Sequence, residues 1–353
     1  MSHFEQSIDR RKLLRRSAAG GLSLAAIAAV GSSLRPAASV AQDITCPPIA
    51  SPVVAGTPEP MSGMTIGVSV AYLSVPFYAN FITGLEDGAN RFGFEFDLRD
   101  GGGGDLAVEV GNLQDFIAQE YDLILLTPSG EGIIPGIIEA NNAGIPVIEV
   151  NNRAGFESAD AEVVTYVGAD DVEYGRQQAR LLNQLFGDNP ARIGYVQGIT
   201  GTSPQINRAQ GFNEVLAEFP QYEILATVTD DFDSAKALAV TQDLLTRFPE
   251  GELDVIVMQG PEGVAASQFA HQNGREEVQF ILGDYDAGVR QAILDGTVAG
   301  TVNQDPYPQA FEGMHMAWLY LNGMEDQIAK PFFQPLPIIT IENAESVPPS
   351  WGC

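Results

Sequence analysis

The stretch TIGVSVAYLSVPFYANFITGLEDGANRFGFEFDL, residues 65–98, shows two periodicities in turn. TIGVSVA (65–71) and FEFDL (94–98) are apolar runs of strand length, while Phe81, Leu85, Ala89 and Phe92 recur at helical spacing and share one face. Strand, helix and strand in that order predict a βαβ unit, whose two strands must pair in parallel. The alternation continues through DLILLT (122–127), PVIEV (146–150), VVTYVG (163–168), RIGYVQ (192–197), EILATVT (223–229), DVIVMQ (254–259) and VQFILG (278–283). Leu106, Val110, Leu113 and Ile117 mark another helical face. About four units precede residue 155 and about four come after residue 165, and 353 residues exceed the ~250–300 at which single cores stop growing. The fold class expected is α/β, with two doubly wound parallel-sheet domains.

Charge narrows the partners. The chain has 18 Lys and Arg against 46 Asp and Glu, a formal net charge of −28. A polyanion is held mainly through basic side chains, so nucleic acid is excluded as a partner. Two cysteines and three histidines (His3, His271, His315) lack metal-ligand spacing, so neither a metal nor a cofactor is expected. No Ser or Cys has the His and acid grouping of a hydrolase.

Residues 1–41 read as an address. Arg10-Arg11-Lys12-Leu13-Leu14-Arg15 precedes an apolar stretch from Ala18 to Leu34, and Ser39-Val40-Ala41 offers small residues for cleavage before Gln42. This resembles a twin-arginine export signal, with Asp9 where that pattern has Ser or Thr. An uncleaved membrane anchor is the alternative, disfavoured by Pro36 and by Gly20, Gly21 and Gly31. Cleavage removes six basic and two acidic residues and leaves a net charge of −32. Residues 42–63, with five prolines among Ser, Thr and Gly, have the composition of a linker. Export to the periplasm or the outer face of the cytoplasmic membrane allows thiols to oxidise, so Cys46 and Cys353 can pair across the two tails. Lipidation of Cys46 is the other reading of that residue.

In doubly wound sheets a ligand sits outside the carboxyl ends of the strands. The residues there are Pro76-Phe77-Tyr78, Thr127-Pro128-Ser129, Asn151-Asn152-Arg153, Gln197-Gly198-Ile199, Asp231-Phe232-Asp233, Gln259-Gly260, Asp284-Tyr285-Asp286 and Asn303-Gln304-Asp305. Any one of them alone would pass for an ordinary loop residue. Together, amides, carboxylates and flat aromatic faces suit a polyhydroxylated ring, whose hydroxyls need partners at the edge and whose C–H faces stack. GTSPQINRAQGF (201–212) opens a helix after a strand and places Arg208 among them. An arginine at a helix start can mark a phosphate site. The acidic chain disfavours an anion, so Arg208 is expected to hold a neutral hydroxyl, with Asp284 accepting opposite it. Gly101 to Gly104 lack the Lys and Ser/Thr context of a nucleotide loop, and Asp105 reads as a helix cap.

VPFYANFITGLEDGANRFGF, GITGTSPQINRAQGF, DDFDSAKALAVTQDLL and ILDGTVAGTVNQDP together resemble the periplasmic sugar-binding proteins of ABC transporters, particularly the ribose-binding group, from about Met64 to Gly323. The resemblance implies two Rossmann-like domains joined by three crossing strands, with one monosaccharide in the cleft. The lobes would be 64–169 with 306–334 and 170–305 with 335–353, hinged near 168–171, 283–286 and 303–306. Phe77, Tyr78 and Phe232 would stack on the sugar, while Arg208, Asp284 and Gln304 would bond its hydroxyls; Asp286 is the alternative to Asp284. Asn151, Asn152 and Gln259 complete the expected ligand set. Four positions depart from the ribose binders: Val75 replaces an Asn, Asn151-Asn152 replaces Asp-Arg, and Gly260 replaces an Asn and would vacate volume. The resemblance implies a monomeric, non-enzymatic receptor that passes a small neutral sugar or polyol to an ABC permease. A sugar or signal-molecule co-receptor for a membrane sensor kinase or chemoreceptor is the alternative. A repressor core is disfavoured by the export signal, and a sugar hydrolase would have to rest on the pair Asp284 and Asp286.

Overall fold

A computed structural model describes residues 59–155 and 161–352. The expected export signal, most of the expected linker, Cys46 and Cys353 lie outside the described residues.

The first sheet contains β1 (Thr65–Val70), β2 (Glu95–Asp100), β3 (Leu123–Thr127), β4 (Val147–Val150), β5 (Tyr166–Gly168) and β11 (Phe332–Phe333), in the order β11-β5-β4-β3-β1-β2. The second contains β6 (Ala191–Gln197), β7 (Tyr222–Thr229), β8 (Val255–Met258), β9 (Gln279–Gly283), β10 (Gly300–Val302) and β12 (Ile338–Thr340), in the order β12-β10-β9-β8-β6-β7. Every described pairing is parallel except β10 with β12. The central strands β3, β4 and β8 are buried along their whole length, because helices cover both faces of a parallel sheet.

The helices alternate with the strands as the periodicity predicts: α1 (Phe77–Phe92), α2 (Leu106–Ala118), α3 (Ile134–Asn142), α4 (Asp171–Phe186), α5 (Ser203–Leu216), α6 (Ser234–Arg247), α7 (Val264–Gln272), α8 (Ala287–Leu294) and α9 (Pro306–Leu321). One helical face differs from expectation. Leu106 is exposed, whereas Leu113 is buried and Val110 and Ile117 pack partly buried against the same cluster as expected; α2 also buries Glu109, Asn112 and Phe116. The polar pair is tolerated because Asn112 Nδ2 donates to Asp100 O and Ser69 Oγ, and Glu109 accepts from Ser129 N. Asp105 caps this helix by accepting from Ala107 N.

The chain passes between the sheets three times, from β5 to α4, from β10 to α9, and between β11 and β12. The third crossing therefore lies at residues 334–337. The expected crossing at 283–286 is corrected, since β9 and the α8 after it stay with the second sheet. At the first two crossings Asp170 and Asp305 cap α4 and α9, so each helix starts where the chain changes sheet.

Candidate functional site

Eight of the nine residues expected to meet a ligand converge on one cavity of about 140 Å³: Phe77, Tyr78, Asn151, Asn152, Arg208, Phe232, Asp284 and Gln304. That is room for about ten waters, the size of one sugar ring with its hydroxyls. The ninth, Gln259, does not line it. Its amide donates to Tyr195 Oη at 2.8 Å and Gln205 O at 3.1 Å, and accepts from Gly198 N at 3.0 Å, so its hydrogen-bonding capacity is spent behind the wall.

Arg208 comes from the second turn of α5, which Thr202 caps at the edge of the cavity. Its Nε donates to Asp171 Oδ1 at 2.9 Å and its Nη1 to the Gln259 carbonyl at 2.7 Å, with the guanidinium 3.9 Å from the Tyr174 ring centroid. These contacts leave guanidinium N–H donors, both of those on Nη2 among them, for a ligand. Burial alone would lower the Arg208 pKa, but Asp171, then Tyr174 and Asp284, outweigh it and hold the group protonated. Burial likewise pushes the Asp171 carboxyl up, and Arg208 pulls it back. Asp171 escaped the sequence reading although it comes after β5 at a helix start, where the strand-end rule applies.

Asp284 faces this pair. Its Oδ1 accepts from Tyr174 Oη at 2.9 Å, and burial raises its pKa to about 6 against the opposing pull of Arg208. Its backbone is left-handed, at φ +56°, which re-aims the side chain after β9 and costs energy for a non-glycine residue. Asp286 also reaches the cavity, but it caps α8 by accepting from Val289 N at 2.7 Å. Asp233 and Asp305 cap helices in the same way, so several strand-end carboxylates serve helix starts.

A relay of amides holds the opposite side. Tyr78 Oη donates to Asn151 Oδ1 at 2.8 Å, Asn151 Nδ2 to Gln309 Oε1 at 3.0 Å, and Gln309 Nε2 to Gln304 Oε1 at 3.1 Å. Asn152 Nδ2 donates to Pro128 O at 3.1 Å. Each amide is thereby fixed in orientation, and the Gln304 side chain also hydrogen-bonds the Asp284 carboxylate, which ties this relay to the other side of the cavity.

The aromatic walls come from opposite lobes, Phe77 from α1 and Phe232 from the loop before α6. Asp231 and Phe232 are both left-handed, at φ +54° and +55°, a local strain of the kind found at binding sites. The Phe232 ring lies over two glycines; a Cβ on Gly198 would meet it at 2.1 Å and one on Gly260 at 2.7 Å. Gly260 therefore vacates no room, since the Phe232 ring and the Glu262 carboxylate occupy that space. Glu262, Tyr72 and Trp351 also line the cavity and were not singled out in the sequence. Trp351 had no signal, lying beyond the last strand, where no strand-end rule reaches. The lobes touch at the rim, where Arg153 N donates to Ser203 Oγ at 2.8 Å.

A family model of the periplasmic binding protein domain matches residues 66–325. The ribose import binding protein RbsB of Escherichia coli (strain K12) is 28% identical over 273 residues, covering 77% of this chain and 89% of that protein. The xylitol-binding protein of Mycolicibacterium smegmatis is 26% identical over 285 residues, covering 79% and 78%. Among solved structures, the periplasmic component of the arabinose ABC transporter of Shewanella sp. ANA-3, bound to L-arabinofuranose, superposes with a TM-score of 0.73 at 26% identity, covering 80% of this chain and 94% of that one. Among the described residues no helix is long and apolar enough to cross a membrane.

Proposed function

The chain belongs to the periplasmic binding protein domain family, and on that premise we propose that it captures a small neutral monosaccharide or polyol outside the cytoplasmic membrane for an ABC permease. The family binds solutes and does not transform them, and this chain is read the same way, as a receptor without catalysis. The observation that carries the reading is a ring-sized cavity with Phe77 and Phe232 on opposite lobes and Arg208, Asp284 and Gln304 between them. Aromatic faces cover the C–H faces of a sugar, a guanidinium donor and a carboxylate acceptor serve its hydroxyls, and the amide relay fixes the remaining polarity. Residues 1–41 act as the export signal in this reading, and 42–63 as the spacer left after cleavage.

A panel of D-ribose, D-allose, L-arabinose, xylitol and myo-inositol, screened by thermal shift and then by calorimetry, is the test. A ligand at a hundred times its Kd stabilises the native form by about 2.7 kcal/mol. At least one neutral compound is expected to raise the melting temperature, and D-ribose 5-phosphate to bind less well than D-ribose. Tighter binding of the phosphate ester, or a sugar converted to product on incubation, would overturn the proposal.

A further inference from the structure

The family match ends at residue 325, yet the chain beyond the last strand returns to the cavity. Ala344 is fully buried, and its carbonyl accepts from Tyr285 Oη at 2.8 Å and Arg290 Nε at 3.1 Å. Further on, Ser350 N donates to Tyr285 O at 2.8 Å and Ala287 N to Trp351 O at 3.0 Å, which fastens the tail along the loop carrying Asp284 and Asp286. These anchors belong to the second lobe. From there the tail reaches the first lobe, where Asn80 Nδ2 on α1 donates to Ser350 O at 2.8 Å and the Trp351 ring meets Phe77 edge-on, centroids 5.3 Å apart. Trp351 is only 4% exposed although it lies two residues from the end of the sequence.

We propose that residues 341–352 form a strap that completes the ligand site, with Trp351 contacting the bound sugar or polyol and Ser350 latching the two lobes. This rests on the reading of the cavity as a sugar or polyol site. Trp351 lines the cavity together with Val75 and Phe77, and all three share one apolar cluster. That corner offers indole and alkyl surface where the rest of the lining offers polar groups such as Asn151, Asn152 and Arg208. It therefore reads an edge of the ligand that carries hydrogens on carbon, and selects against a hydroxyl pointing the same way, which would be desolvated without a partner. Because the strap is fixed to one lobe and touches the other through Asn80 and Phe77, those two contacts exist only while the lobes are together. Ligand and strap thus stabilise the same closed state.

The chain has two tryptophans, and Trp318 sits near the far end of α9 against Phe92, outside the cavity lining. In a Trp318→Phe protein all tryptophan emission comes from Trp351. Whichever of D-ribose, D-allose, L-arabinose, xylitol and myo-inositol raises the melting temperature of the unsubstituted chain is expected to shift that emission and protect it from acrylamide. Trp351→Ala should weaken binding of the same compound about tenfold or more, and Trp351→Phe far less. Asn80→Ala should weaken it by a smaller factor. Emission that stays unchanged at saturation, or a Trp351→Ala protein that binds within about twofold of wild type, would overturn the strap while leaving the sugar site standing. If Trp351→Ala fails to fold, the emission measurement still decides. A panel in which nothing binds the unsubstituted chain defeats the sugar reading itself, and the strap with it.

Discussion

Arg208 and Asp171 form an ion pair with side chains 3% and 4% exposed, and that degree of burial changes what a substitution at Arg208 would report. Two charges this far from water are tolerable only together; removing one leaves the other buried and uncompensated, at a cost of about 3–5 kcal/mol. Arg208→Ala is therefore expected to lower the urea midpoint of the ligand-free protein strongly, whatever it does to sugar binding. Asp284→Asn separates the two effects. It keeps the shape of the side chain and removes a carboxylate that burial already disfavours, so ligand-free stability at pH 8 should be unchanged or higher. Yet it replaces a charged acceptor of sugar hydroxyls by an amide, which should weaken sugar binding about ten- to hundredfold. Urea titration and calorimetry on the two variants check this. An Arg208→Ala protein as stable as wild type would refute the structural role given to the pair.

That ion pair exists because α4 and α5 approach closely enough to touch backbone to backbone. A Cβ on Gly175 would lie 1.9 Å from Arg208 O, and one on Gly211 would lie 1.8 Å from Val172 O, so a methyl group at either position forces the helices apart. Gly211→Ala is expected to destabilise the protein by about 1–3 kcal/mol or more and to weaken sugar binding, since α4 carries Asp171 and α5 carries Arg208. Equilibrium denaturation together with calorimetry would reveal it, and unchanged values in both would contradict the packing argument. Nothing in the hydrophobic periodicity announces this contact, because the residues that matter there have no side chain. The elements themselves were legible where apolar runs alternate; Phe77, Phe232 and Asp284 could be placed at the cavity from the segments that follow the strands, and Arg208 from the helix that opens after β6. The same rule pointed wrongly at Gln259, whose amide is consumed by Tyr195, Gly198 and Gln205, because position after a strand says nothing about which way a side chain turns. It passed over Trp351, which reaches the cavity through a tail whose path depends on anchors at Tyr285 and Arg290 far away in sequence. Leu106 misled for the converse reason: an apolar residue at helical spacing can still lie on the exposed first turn.

Over the whole molecule, burial holds a set of carboxyl groups above their ordinary range. Glu149 and Asp230 are raised to about 7, and Asp284 and Asp305 to about 6, in each case mainly by desolvation. Glu262 is raised further, by burial first and then by the neighbouring charges of Asp230, Asp284 and Asp286. In the unfolded chain these groups return to about 4. A raised folded pKa means that between about pH 4 and pH 7 the folded protein binds protons that the unfolded chain does not, so stability must rise as the pH falls through that window. Above pH 7 most of these carboxylates are ionised and the cost of burying their charge is felt in full; as the pH drops past 7 and then 6 the folded form protonates and that cost is relieved. The excess of 46 acidic over 18 basic residues acts in the same direction, because self-repulsion among surface carboxylates also eases on acidification. The two contributions differ in their response to salt, which screens exposed charges and leaves buried ones largely untouched. The melting temperature of the ligand-free protein is therefore expected to rise by several degrees from pH 8 to pH 5, and most of that rise should persist in about 0.5 M sodium chloride. A melting temperature that falls over this range would refute the burial argument, and a rise abolished by salt would assign the effect to the surface instead.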